Sequence, residues 1–321
     1  MIRWLISVAL LISAFWFSLT SFSAVPIAPQ SALHALWPGQ PQNIGEVLVF
    51  NLRLPRALVA ILLGAALALA GGLLQALTHN PLASPSVLGI NSGAALAIAL
   101  VSAFAPVKLE GYPLSLIAAG GGGLSWVCVT LAARTHDRQR LILAGIALSA
   151  FCMAMTRIVL LLAEDHAYGI LTWLAGGIAQ VRWQEVWQLL PVMAVIVPLV
   201  LTQTRALNLL SMGDSAAHSL GVNIVVLRVG LSIALLLLVG ACVSVAGPLG
   251  FIGLLVPHLA RAWIGHDLRV MLPMAMLLGA TLLLTADIAA RALDWPGELP
   301  AGVVLALVGA PCFVWLARRQ R

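Results

Sequence analysis

Apolar runs of about 20 residues recur from one end of this chain to the other, with mostly short polar connectors between them. Residues 57–74 (ALVAILLGAALALAGGLL) form one such run, with no charged side chain. A helix of that length crosses the ~30 Å hydrocarbon core of a bilayer and satisfies its backbone N–H and C=O groups from within. Water is therefore not the main solvent: 9% of the residues are charged, against about 25% in soluble domains. The alternating segments of ~10 residues that mark a membrane β-barrel are absent from the sequence. The expected fold class is an all-α polytopic membrane protein. Ten spans are expected near residues 4–23, 56–78, 87–107, 112–133, 141–163, 186–204, 223–246, 249–265, 270–293 and 299–317. The opening MIRWLISVALLISAFWFSLTSFSA has a signal-peptide-like basic start, but its apolar run is long enough to span and is read as the first helix.

Arginine placement predicts the orientation. With the N-terminus inside, the inner segments carry Arg3, Arg134, Arg138, Arg140, Arg205, Arg261, Arg269 and the tail Arg318, Arg319 and Arg321. The outer segments carry Glu46, Glu110, Glu164, Asp165, Glu185, Asp294 and Glu298. That asymmetry fits the positive-inside rule with both termini cytoplasmic. It also accounts for the formal net charge of +6 without a nucleic-acid partner.

Several kinds of chemistry are excluded. The only lysine, Lys108, sits in APVKLEG, so no P-loop is present and any ATP must be held by another chain. Cys128, Cys152, Cys242 and Cys312 lie singly in apolar stretches and are read as core residues. The histidines show no metal-ligand spacing, and no paired carboxylates or nucleophile–base set suggest an enzyme.

An internal echo points to transport. GAALALAG (64–71) and GACVSVAG (240–247) share the pattern GA-x-x-x-x-AG; each follows an arginine and precedes a Pro-containing stretch, NPLA (80–83) or PHLA (257–260). Five spans separate the copies, so they face opposite ways, as in the inverted repeats of transporters. The single permease domain, 1–321, is expected to divide into halves of about 56–180 and 223–317, with a coupling segment at 207–222.

Five segments interrupt the apolar pattern. QALTHNPLASPSVLGINSG (75–93) breaks the backbone at membrane depth, tolerable only where protein buries it or water lines it, so a cytoplasmic gate is expected. RTHDRQR (134–140) is a charged connector that could add a cytoplasmic rim. LRLPR (52–56) and Arg291 put arginines outside, against the charge rule. They could dock an acidic partner through carboxylate forks, or pair with Glu46 or Asp294. Asp287, the one acid deep in a span, stands four residues before Arg291, spacing that suits an ion pair. Residues 163–183 could be a short re-entrant helix or an aromatic belt.

The last is SMGDSAAHSLGV (211–222). Asp214, Ser215 and Ser219 suit a helix cap, Ala216, Ala217 and Leu220 an apolar side, and Gly221 a stop. A helix resting on lipid prefers lysine or arginine, and residues 206–227 have none, so the segment is read as a knob for another protein's groove.

LRLPRALVAILLGAALALAGGLLQ, HNPLASPSVLGINSGA, LILAGIALS, GDSAAHSLGV, AGPLGFIGLLVPHLAR and ELPAGVVLALVGAPCFVWL together resemble the permease family of iron-siderophore and vitamin B12 ABC importers, in order along nearly the whole chain. THNPLASPSVLGINSGAALA, the HDR loop and LLLAEDHAYGI are most similar to members that carry ferric dicitrate. The resemblance implies a ten-helix type II importer permease in a bacterial inner membrane. It implies as partners a second, related permease subunit, two cytosolic ATPase subunits that hold ATP and Mg, and a periplasmic substrate-binding protein. By position it assigns docking to Arg53, Arg56 and Arg291, and cytoplasmic gating to Asn80, Leu82, Asp137 and Arg138. ATPase coupling falls to Gly213, Asp214, Ala217, His218, Leu220 and Gly221. Asp137 and Arg138 stand where the vitamin B12 permease has small hydroxyl residues. The expected function is ATP-driven import of a ferric chelate, with no cofactor in this chain. The alternative is an ion-coupled secondary carrier.

Overall fold

The computed structural model describes residues 1–22, 25–37, 43–105, 111–133, 138–163, 167–294 and 297–319, and among these every regular element is a helix. Helix α1 (Ile2–Thr20) is followed by the short α2 (Pro29–Ala35) and α3 (Ile44–Leu48). A single wide π turn, Val49–Arg53, runs α3 into α4 (Leu54–Leu77). The bundle continues through α5 (Ile90–Phe104), α6 (Tyr112–Ala133), α7 (Arg138–Leu162), the short α8 (Ala167–Leu174) and α9 (Trp183–Thr202). The short pair α10 (Thr204–Leu210) and α11 (Asp214–Ser219) precedes α12 (Ile224–Ala246), α13 (Ile252–Ile264), α14 (Leu268–Leu293) and α15 (Ala301–Arg319).

Among the described residues, seven stretches are long and apolar enough to cross a bilayer: Ile2–Thr20, Ile44–Leu77, Tyr112–Ala133, Gln139–Leu162, Trp183–Thr202, Ile224–Ala246 and Leu268–Leu293. Three expected spans are shorter apolar helices, Ile90–Phe104, Ile252–Ile264 and Ala301–Val314. The reason for the first two is local. Residues 78–89 and 247–251 remain non-helical, and α5 and α13 begin only after residues with positive φ, Gly89 (+78°) and Phe251 (+66°). The two breaks brace each other at depth, because Asn91 Nδ2 donates to Leu249 O at 3.0 Å. Gln75 Nε2 donates to Leu254 O at 3.3 Å, closing a backbone group of α13 near its break. Broken backbone inside the bundle is thus covered by protein, as the hydrocarbon layer requires.

Helix α4 is the centre of the molecule and is buried along nearly its whole length. Its glycines explain how neighbours come so close. A Cβ on Gly64 would overlap the carbonyl of Gly279 in α14, and one on Gly71 would overlap Gly253 in α13. Backbone therefore meets backbone at both crossings, the packing that small residues permit between membrane helices. Gly240 of α12 lies in the same way on Ala119 and the Ser115 carbonyl of α6. Gln188 Nε2 of α9 donates to Ser115 Oγ (2.8 Å) and Ser244 Oγ (3.0 Å), tying α9, α6 and α12 together.

Three sequence expectations change. NPLA lies in the non-helical 78–89 stretch whereas PHLA lies inside α13, so the internal echo ends with the octapeptides. Cys152 and Cys242 are buried, but Cys128 and Cys312 are exposed on the outer faces of α6 and α15, which are apolar. Among the described residues, the stretch 163–183 contains one short helix, α8, and the turn after Leu174 reaches Gly176, with φ +72°. Its end is held by Gly177 N donating to Ala246 O (3.0 Å) and Gly302 N donating to Gly176 O (2.9 Å).

Candidate functional site

The predicted residues fall at the two ends of the bundle. At the end expected to face the cytoplasm, α10 and α11 form the turn between α9 and α12. Gly213, with φ +110°, is the residue before α11, and Gly221, with φ +82°, follows it. Gly221 N donates to His218 O (3.0 Å) and Val222 N to Ala217 O (3.0 Å), so the helix stops where the glycine was expected to stop it. The cap differs from expectation. Asp214 stands inside the first turn, where an acid favours the helix dipole, and its Oδ1 accepts from Arg228 Nη2 at 2.8 Å. Ser219 Oγ donates back to Ala216 O instead of capping. Ala217 is fully buried against the bundle, so it anchors the segment, while Met212, His218 and Leu220 project outward.

The gate candidates lie beside it. Asn80 is buried, and its Oδ1 accepts from Leu82 N at 3.0 Å, closing an Asx turn that holds Leu82 partly exposed. Arg138 is the first residue of α7; Asp137 lies outside the described residues. The far end of the broken stretch packs on α7, where a Cβ at Gly145 would stand 2.6 Å from Val87 O.

A contact that sequence reasoning missed joins these regions. His79, held at φ +49°, reaches across with Nε2 to Leu210 O at 2.8 Å. Asn208 completes the mooring of α10: its Nδ2 donates to Asp267 Oδ1 (2.6 Å) and its Oδ1 accepts from Leu268 N (3.0 Å). The Arg269 N–H and the Asn208 amide, both donating to Asp267, hold its carboxyl below the ordinary carboxylate range. The only sequence cue to His79 was its place beside the broken NPLA stretch.

At the opposite end, expected to face outward, the arginines are not arrayed as a surface patch. Arg56 (6% exposed) grips Asp287 (1% exposed) with Nε at 3.0 Å and Nη2 at 2.8 Å from Oδ1, and its Nη1 donates to Glu298 Oε2 at 2.8 Å. Arg291, 1% exposed, faces Asp287 with Nε at 3.3 Å and donates through Nη2 to Ser18 Oγ at 2.9 Å. The i,i+4 pair expected for Asp287 is present, and Arg56 of α4 is its closer partner. Docking through Arg56 and Arg291 therefore meets a structural obstacle, because both guanidiniums are turned inward onto buried partners. Pairing with Glu46 or Asp294 is not what occupies them. Arg53 stays partly exposed while Nη2 donates to Phe22 O at 2.6 Å. A recess of about 510 Å³ opens next to the cluster, lined by Arg56, Trp173, Gly177, Glu185, Glu298 and Pro300 among others. A charge this deep is tolerated only with its counter-charge and hydrogen bonds in place.

Among the described residues no group of three or more His, Cys, Asp or Glu side chains could hold a metal ion. The geometry is that of a helical bundle with a tethered knob at one end and a charge-locked rim at the other.

Comparison with known proteins gives this geometry a context. Residues 10–319 match the FecCD transport family. The Fe(3+) dicitrate transport system permease protein FecC of Escherichia coli K12 is 64% identical over 321 residues, covering 99% of this chain and 97% of that protein. The hemin transport system permease protein HmuU of Yersinia pestis is 41% identical, covering 90% of this chain and 89% of that one. Among solved structures, a metal-chelate type ABC transporter in an inward-facing conformation superposes with a TM-score of 0.81 at 30% identity, covering 98% and 97%.

Proposed function

Because this chain belongs to the FecCD transport family, we propose that it is the permease subunit of an ATP-driven importer that carries ferric dicitrate, or a closely related ferric chelate, into the cytoplasm. The observation that carries the reading is its 64% identity to FecC over nearly all of both chains. All ten apolar helices cross the inner membrane, α5 and α13 as short helices whose broken lead-ins lie inside the bundle. Both termini face the cytoplasm. The halves 56–180 and 223–317 form an inverted repeat; in support, the octapeptide glycine Gly64 of α4 sits on α14 while its counterpart Gly240 of α12 sits on α6.

The complex contains a second, related permease chain, two ATPase subunits and a periplasmic binding protein. The knob of Gly213, Asp214, Ala217, His218, Leu220 and Gly221 engages an ATPase. Its movement reaches Asn80 and Leu82 through the His79–Leu210 contact, and these close the inner gate with Asp137 and Arg138. ATP and Mg stay with the ATPase, and this chain performs no bond chemistry. Among the three docking arginines, Arg53 is the one available to an acidic partner in this conformation. Arg56 and Arg291 join only if the partner's carboxylates replace Glu298 or the Ser18 contacts.

The test is uptake into proteoliposomes holding the assembled transporter. Radiolabelled iron supplied as dicitrate should enter only with ATP and binding protein present. Uptake driven by a proton or sodium gradient without ATP would overturn the proposal.

A further inference from the structure

The inner end holds a second feature that the transport reading does not use. A recess of about 580 Å³ lies between the end of α4, α13 and the start of α14, lined by Gln75, His79, Asn80, His258, Arg261 and His266 among others. No acidic side chain lines it. Arg261 is partly buried there; Nη2 donates to Gln75 Oε1, a neutral amide oxygen, and among the described residues no carboxylate pairs with it. His258 and His266 make no hydrogen bond among the described residues, and His79 spends Nε2 on Leu210 O. The nearest acid, Asp267, turns its carboxylate to Asn208 and the Arg269 N–H. Among the described residues, the pocket therefore collects one fixed positive charge and further N–H donors with no carboxylate turned toward them. The two fully buried guanidiniums, Arg56 and Arg291, share Asp287, and the partly buried Arg53 is held by the backbone carbonyls of Ser21 and Phe22, whereas Arg261 has a single neutral amide oxygen. A cation taken partly out of water without its counter-charge marks a place for an anion.

The surroundings say which anion. On α13 itself, Leu259 and Trp263, one turn apart and next in sequence to the recess residues His258 and Ala262, are exposed, 51% and 40%. Arg3 of α1 donates to Trp263 O, so the start of α1, a helix rich in exposed apolar side chains, lies beside this end of α13. A polar pocket bordered by an aromatic side chain and an apolar wall at the inner interface has the form of a seat for a phosphate carrying acyl chains.

We infer that this recess is a binding site for a phosphate-type oxyanion, supplied by the headgroup of an anionic phospholipid of the inner leaflet and held by Arg261 with His258 and His266. The site rests on the membrane orientation and is independent of the cargo. Its position beside Asn80 and the His79–Leu210 contact means that its occupancy stiffens the junction between knob and gate.

The full-length chain in neutral detergent provides the test, by native mass spectrometry after exchange into phosphatidylglycerol or phosphatidylcholine. Wild type should retain phosphatidylglycerol preferentially, and Arg261→Gln should lower that retention about five-fold, the effect of one cationic contact. Arg269→Gln, outside the recess, should leave it unchanged. Equal retention of the two lipids, or undiminished retention by Arg261→Gln, would overturn the site. Where inorganic phosphate at millimolar concentration displaces phosphatidylglycerol and protects the chain from heat as well as the lipid does, the oxyanion site stands and its source is soluble. Should Arg261→Gln fail to fold, Arg261→Lys should retain lipid and His266→Gln should lose part of it; the reverse order would overturn the assignment. Iron uptake is not the readout, so failure here and failure of the transport reading are separate results.

Discussion

Arg56 and Asp287, 231 residues apart in sequence, share three hydrogen bonds of 2.8–3.1 Å at the buried junction of α4 and α14. Glu298 takes the remaining face of the same guanidinium, so one side chain fastens α4, α14 and the segment leading into α15.

Breaking that junction from one side should be costly. Asp287→Ala leaves Arg56 and Arg291 without their shared counter-charge, and losing one partner of a buried pair destabilises by about 3–5 kcal/mol. A thermal unfolding scan in detergent should show a large fall in midpoint. The triple variant Arg56→Met, Asp287→Leu and Arg291→Met removes all three buried charges and should recover more than Arg56→Met with Asp287→Leu, which leaves Arg291 buried without a counter-charge.

At Gly64 the prediction is steric. Gly64→Leu forces a side chain into the Gly279 carbonyl, with no flexible neighbour to yield. Overpacking usually costs 1–3 kcal/mol, and about the upper end or more is expected at a backbone-to-backbone crossing. Size-exclusion profiles should lose the monodisperse peak, whereas Gly230→Ala, with open space around it, should behave as wild type.

His79 tests communication from knob to gate. His79→Ala deletes the bond to Leu210 O and should reduce iron uptake about five-fold, on the scale of one hydrogen bond of ~1 kcal/mol. ATP hydrolysis by the assembled complex should persist. A parallel fall in both rates would place His79 in folding instead of coupling.

Charge reversal separates the outer arginines. Arg53→Glu should weaken capture of the binding protein without changing the unfolding midpoint. Arg291→Glu should lower the midpoint first, since it sets a second carboxylate beside buried Asp287. Surface plasmon resonance on detergent-solubilised transporter, read beside the thermal scans, distinguishes the two.

Asp267 gives a pH dependence of definite sign. Its carboxyl is held below the ordinary range by the Arg269 N–H and Asn208. The stability this contributes is fully present above the unfolded value of about 3.9 and is lost as pH falls through the lower folded value. Asp267→Asn should therefore lose stability at neutral pH and show a flatter acid limb below about pH 4. Unfolding midpoints recorded down that range check it.

The helices were legible in the sequence because lipid imposes a long apolar run on each crossing, and runs such as 57–74 have no other use. The stop of α11 at Gly221 was legible too, but its start was not: Gly213 stands at the cap position that the sequence assigned to Asp214 or a serine. The outer cluster was half legible. Asp287 and Arg291 are four residues apart and announce their pair, but nothing local tells Arg56 that its partner lies on α14. Exposure is set by the same distant neighbours, so an arginine at the outer end of a span reads identically whether it meets solvent or a buried acid. The shortening of α5 and α13 was hidden for a related reason. The lead-in of α13 is held at Leu249 by Asn91 of α5 and its first turn at Leu254 by Gln75 of α4, contacts between distant segments that the apolar pattern does not reveal.

The crossings of α4 at Gly64 and Gly71 have a mechanical consequence. Side chains that interlock resist rotation, because each knob must leave its hole before the helix can turn. Two backbones touching at a bare glycine have no such teeth, so the partner can swing about the point of contact while that point stays put. With one such point on α14 and another on α13, α4 offers two bare fulcra about which its neighbours can change tilt without unlocking side chains.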